Sequence, residues 1–156
     1  MTDDIHKSPS PKEISDLLQQ KFPGKVEITR TEERRVYAKV DRGAVFDVCT
    51  YIHDNLTFEH ATSIMGNDRV DRMEVIYHLS NYFNGVMIEL TAELPAGDLH
   101  VGSVAGIWGG ANWHERETYE LFGITFDGHP KLKRLLTPDT YEFYPFRKSY
   151  KLRGQE

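Results

Sequence analysis

Two segments on either side of Asn84-Gly85 constrain this chain most. "MEVIYHLS", residues 73–80, and "VMIELTAEL", residues 86–94, alternate apolar and polar side chains with the two-residue period of a strand. Asn-Gly is a strong hairpin signal, because both residues accept positive φ. The two strands are therefore expected as antiparallel neighbours with one apolar face to cover. His78 alternates with Ile76 and Ser80 and has no paired ligand in its own strand. It reads as a histidine on one sheet face.

The cover has to come from upstream. Ser10-Pro11 starts a helix, with Ser10 as a cap and Pro11 in the tolerated first turn. Ile14, Leu17, Leu18 and Phe22 fall at helical spacing, and Pro23-Gly24 ends the run. Val26 and Ile28, then Val36, Ala38 and Val40, alternate as strands. Gly43 precedes a second amphipathic helix with the stripe Val45, Val48, Cys49, Ile52 and Leu56. Cys49 lies inside that stripe and reads as core filling. A strand over about 57–65 is expected to turn at Gly66-Asn67-Asp68 into the strand at 72–80. The order α-β-β-α-β-β-β, then a helical segment and an irregular tail, predicts an α+β fold: a mostly antiparallel sheet with helices packed on it. With 156 residues the chain has room for one core. The expected division is a flexible lead over 1–10, the α+β domain over 11–128 and an extended basic, aromatic tail over 129–156.

The longest apolar runs are only a few residues, so no membrane span is expected. "MTDDIHKSPSPKE" has neither the basic start nor the apolar stretch of a secretory signal. The single Cys49 excludes an intramolecular disulfide and any all-cysteine iron–sulfur or zinc site within the chain. These features together predict a reducing, cytosolic setting. The net charge of −5 conceals an asymmetry: −9 over residues 1–128 and +4 over 129–156. Such a tail suits nucleic acid, an anionic surface, an acidic partner or the chain's own body.

The densest chemistry is "NWHERETYELFG", residues 112–123. Ser103 is expected to cap a short helix reaching Trp108, and Gly109-Gly110 favours a break, since glycine costs about 1 kcal/mol in a helix interior. Asn112 then offers a new cap with Glu115 three residues on, the spacing of a capping box. Glu117 suits the positive end of the helix dipole, Arg116 and Glu120 are spaced to pair, and Gly123 suits the residue that ends the helix. The excess of carboxylates is expected to dock against the cations of "HPKLKRLL" or against another chain. A zinc-protease reading fails on spacing, because position 118 is Thr rather than His. An acid/base pair of Glu115 and Glu117 stays open, although no nucleophile elbow, P-loop or dinucleotide fingerprint accompanies it. In the tail, Tyr141, Phe143, Tyr144, Phe146 and Tyr150 interleave with cations. Such a pattern serves a single-stranded nucleic-acid platform or a strap between subunits, and Pro138 and Pro145 favour the extended strap.

"ANWHERETYELFGITFDGHPKLKRLL", followed by "YPFRKSY", resembles the signature of the thirty-kilodalton subunit, or C subunit, of respiratory complex I. Glu115, Arg116, Glu117, Tyr119, Leu121, Phe122, Gly123, Phe126, His129, Pro130, Arg134 and Leu135 match its core, and Pro145, Arg147, Lys148 and Tyr150 its final block. Glu120 stands where Asp is usual, Phe146 replaces Leu, and Ser149 replaces Asp. The resemblance implies a chain without a cofactor, on the cytoplasmic face of the membrane, in the peripheral arm of a complex I-like oxidoreductase. It implies flavin and iron–sulfur clusters on partner subunits, and docking to the large quinone-site subunit. The assembly would pass electrons from NADH, reduced F420 or ferredoxin to a quinone-like acceptor and translocate protons. Glu115, Arg116, Glu117 and Glu120 would then be structural and interface residues, with Arg147 and Lys148 anchoring the strap.

Overall fold

The computed structural model describes residues 8–134 and 144–149. The first helix, α1 (Pro11–Lys21), opens as its sequence dictates: the Ser10 hydroxyl accepts the Glu13 N–H at 3.2 Å, and Pro11 sits in the first turn. Strands β1 (Val26–Thr31) and β2 (Arg35–Val40) form an antiparallel hairpin. A 3₁₀ turn at Arg42–Ala44 leads into α2 (Val45–Leu56), whose whole apolar stripe is buried. A meander follows: β3 (His60–Asp68), β4 (Arg72–Ser80) and β5 (Met87–Pro95). Its last strand inserts beside β2, so the sheet order is β1-β2-β5-β4-β3. Within that sheet the β2–β5 pairing is parallel and the others are antiparallel. Two short strands, β6 (His100–Gly102) and β7 (Thr125–Asp127), pair in parallel on either side of α3 (Ala111–Phe122).

One face of the sheet is apolar and covered. Val36, Ala38 and Val40 on β2, Ile88, Leu90 and Ala92 on β5, and Val75, Tyr77 and Leu79 on β4 share one core with Ile14 and Leu18 of α1 and the α2 stripe. Leu17, expected in the apolar stripe of α1, is 36% exposed: three residues after Ile14, it lies at the border of the buried arc. The opposite face is polar, with His78 Nε2 at 2.8 Å from Glu89 Oε1. Cys49 is fully buried, and burial pushes its thiol up, as befits a core side chain.

The punctuation differs from expectation in three places. Gly66, Asn67 and Asp68 belong to β3, and the turn lies at Arg69–Asp71, with Val70 at φ 75°. Gly66 serves close approach instead: a Cβ there would lie 2.6 Å from the Phe122 ring, which packs on it from α3. The connection across Asn84-Gly85 is wider than a two-residue turn. Asn81 accepts the Phe83 N–H and Asn84 the Val86 N–H, and only Gly85 takes positive φ. Residues 103–108 form turns, not a helix: Ser103 Oγ accepts the Ala105 N–H, and the stretch is short enough for that local bond to prevail.

Candidate functional site

Helix α3 carries most of the charged motif. It begins at Ala111 behind Gly110, with no side-chain cap, so the expected Asn112–Glu115 capping box is not formed. Glu115 shares the inward face with Ala111, Thr118 and Phe122, spacings of four, three and four that keep one side of a helix. Its fully buried carboxylate therefore reaches across to the preceding turn. It accepts Ser103 Oγ–H at 2.6 Å and the Val104 N–H at 3.1 Å. Burial pushes its pKa up to about 7, against the hydrogen bonds from Ser103, Val104 and Ala105, which lower it. Thr118 donates to the Ile64 carbonyl at 3.1 Å, laying α3 over the edge strand β3. Neither contact was legible locally, since a Ser and a Thr at these positions carry no spacing signal.

Arg116 makes a different set of bonds from the expected pair with Glu120. Its Nε donates to the Lys133 carbonyl at 3.1 Å and its Nη2 to the Arg134 carbonyl at 3.4 Å, while the guanidinium sits 5.5 Å from the Trp113 ring centroid. His129 Nδ1 accepts the Lys131 N–H, which leaves its Nε2 to donate to the Asn112 carbonyl at 3.2 Å. Among the described residues, the basic stretch after Pro130 thus meets α3 through the Lys133 and Arg134 carbonyls, which take the Arg116 guanidinium. Glu120 is fully buried, and Glu117 is exposed. Glu115 and Glu117, two positions apart on a helix, point to different sides. They cannot work on one substrate atom as an acid/base pair.

The end of α3 joins the motif to the tail. Gly123 closes the helix at φ 79°, its N–H bonded to the Tyr119 carbonyl. The next carbonyls would be orphans of the helix terminus. Instead Leu121 O accepts the Phe146 N–H at 3.0 Å, and Phe122 O accepts Arg147 Nε–H at 2.6 Å. The Arg147 cation thereby meets the negative end of the helix dipole. Its guanidinium stacks 4.4 Å from the Tyr144 ring centroid, and Phe146 packs edge-on against Phe122. A Cβ on Gly123 would overlap Arg147 Nη2, so this glycine provides both the left-handed turn and the space for the arginine. The next contact is Asp68, which accepts the Lys148 N–H at 2.8 Å and the Val70 N–H at 2.7 Å. Those N–H groups, first that of Lys148, and the nearby Lys148 and Arg147 charges hold the Asp68 carboxyl below the usual range despite its burial. Pro145 opens the turn that presents Phe146. Tyr141, Phe143 and Tyr150 lie outside the described residues.

Of the expected site residues, the structure gathers Arg116, His129 and Arg134 along one side of α3, and Arg147 and Lys148 at its C-terminal end. Asp68, Gly66 and Ser103 complete the clamp, and no local pattern in the sequence marks them as parts of one site. Among the described residues no helix is long and apolar enough to cross a membrane, and no group of three or more His, Cys, Asp or Glu is placed to hold a metal ion.

The fold defines a class first. A chain of the archaeal membrane-bound sulfane sulfur reductase, a respiratory membrane complex, shares it with a TM-score of 0.77 at 24% identity, over 91% of this chain and 86% of that one. The trypsin-resistant fragment of Nqo5 shares it with a TM-score of 0.65 at 26% identity, over 78% of this chain and 98% of the fragment. Sequence then specifies the family. Residues 38–156 match the model for the 30 kDa subunit of respiratory-chain NADH dehydrogenase, and the chain belongs to that family. It is 39% identical to the C subunit of the F420H2 dehydrogenase of Methanosarcina mazei, over 88% of this chain and 89% of the relative. It is 32% identical to the C subunit of the NADH-quinone oxidoreductase of Geobacter sulfurreducens, over 89% and 88% respectively. The corresponding C subunit from Salinispora arenicola is 36% identical, and there the match covers 62% of the relative.

Proposed function

We propose that this chain is a scaffold of the peripheral arm of a complex I-like oxidoreductase, in which the α3 clamp and the tail from His129 onward position the large quinone-site subunit. Flavin and iron–sulfur clusters sit on partner subunits, on the cytoplasmic face of the membrane. The assembly takes electrons from a donor such as NADH, reduced F420 or ferredoxin to a quinone-like acceptor and couples this to proton translocation. The observation that carries the reading is the use made of the family motif. Glu115, Arg116 and Arg147 direct their hydrogen bonds to the chain's own backbone and to Ser103, so they build a shape rather than a reaction site.

Affinity isolation of the tagged chain from native membranes in mild detergent tests this. The expected result is recovery with the other subunits, and recovery of the chain alone and monomeric would overturn it. Arg116→Ala should lower the amount of assembled complex while each assembled complex keeps its turnover. Normal assembly with lost turnover would refute the structural role of the cluster.

A further inference from the structure

Beside the tail, bordered in part by the clamp residues Asp68, Arg147 and Lys148, lies a groove of about 400 Å³. Val70, Met73, Ala96 and Leu99 give it apolar walls, and Arg72, Arg147, Lys148 and Asp68 give it charge. Two observations single it out. Val70 is a β-branched residue in the left-handed region at φ 75°, where such a side chain is rarely found, and it is 74% exposed. A turn at that position accepts Gly or Asn without the strain. Strain retained in an exposed apolar side chain points to a use for that side chain.

The second observation is the charge. Both Asp68 oxygens are occupied by the N–H groups of Val70 and Lys148. Arg72 is balanced by Asp71 at 3.1 Å and Glu93 at 3.5 Å. Arg147 and Lys148 therefore outweigh Asp68, and the groove is cationic in a chain whose net charge is −5. Residues 150–156 carry two cations, Lys151 and Arg153, against one acidic side chain, Glu156, so their side chains share the sign of the groove.

We propose that this groove docks an extended segment of a partner polypeptide that sets a carboxylate beside an apolar side chain. The apolar group lies against Val70, Met73 and Leu99, and the carboxylate faces Arg147 and Lys148. The proposal rests on the scaffold reading above and gives it a surface.

A photo-crosslinking phenylalanine analogue encoded in place of Val70, in the chain expressed within its native complex, tests it. The expected product joins this chain to a peptide of another subunit with Asp or Glu next to an apolar residue. Crosslinking within this chain, to a segment lacking a carboxylate, or not at all in a recovered complex would overturn the groove proposal and leave the scaffold reading standing. Recovery of the chain without partners would overturn the scaffold reading itself. Val70→Asn separates docking from folding. Its Tm is expected at or above that of the parent, with about tenfold weaker retention of the partners, the scale of losing one anchor residue. Retention equal to the parent's would refute the docking role of Val70. Lys148→Glu keeps the backbone bond to Asp68 and should likewise weaken retention, more at low salt than at high. Retention that is unchanged at every salt concentration would remove the charge argument.

Discussion

Glu115 offers the sharpest test of the clamp. Its carboxyl is held at about 7 in the folded chain against an ordinary 4.5. Burial is the larger cause, and the hydrogen bonds of Ser103, Val104 and Ala105 only partly offset it. A group whose pKa is raised on folding binds its proton more tightly in the native state. Its contribution to stability is full below about pH 4.5, declines as pH rises, and is lost above about pH 7. At 1.36 kcal/mol per unit, the change across that window is about 3 kcal/mol. The groups facing it are Cys49 from α2 and Tyr77 from β4, and burial pushes both upward, so both stay neutral in this range. Glu115→Gln removes the titration and keeps the shape. The Ser103 hydroxyl can rotate to accept from the amide, whose oxygen still takes the Val104 N–H. Urea unfolding of both proteins from pH 4.5 to 8.5 should give a stability difference, parent minus variant, that falls by about 3 kcal/mol with rising pH. A flat difference would mean that the hydrogen bonds cancel the desolvation. A rising one would mean that they win, and the account of the buried carboxylate would be wrong.

Gly123→Ala should cost at least about 1–2 kcal/mol for the left-handed backbone, with a further penalty from the Arg147 overlap, and should loosen the tail. Faster tryptic cleavage after Arg147 or Lys148 would report that loosening. Gly66→Ala forces its methyl into the Phe122 ring and is expected to destabilise by about 1–3 kcal/mol by denaturant unfolding. Asp68→Asn replaces one of two acceptor oxygens and should cost about 1–3 kcal/mol at neutral pH. Because the Asp68 carboxyl is held low, the difference from the parent should persist above its ordinary 3.8 and shrink as pH falls through its lower folded value.

The strands and helices were largely legible because each is written in a local period. Val36, Ala38 and Val40 alternate inward, and the α2 stripe from Val45 to Leu56 is buried as a unit. Ser10 and Gly123 marked real helix ends, since capping and positive φ are properties of a few neighbouring residues. Gly66 misled for the same reason. Its turn chemistry is visible locally, while its actual use depends on the ring of Phe122, far along the chain.

By itself, then, the sequence determined which residues alternate inward, where α1 and α3 stop, and, through its motif, which family the chain resembles. Tertiary structure decided the pairing and the partners. It set β5 parallel to β2, turned Glu115 toward Ser103 instead of its own helix cap, and gave Arg116 two carbonyls instead of Glu120. It also brought Lys148 to Asp68 across eighty residues. The reason is physical. A side-chain period follows from backbone geometry along the chain, whereas a buried carboxylate or guanidinium bonds to whichever donors or acceptors the packed fold brings within about 3 Å.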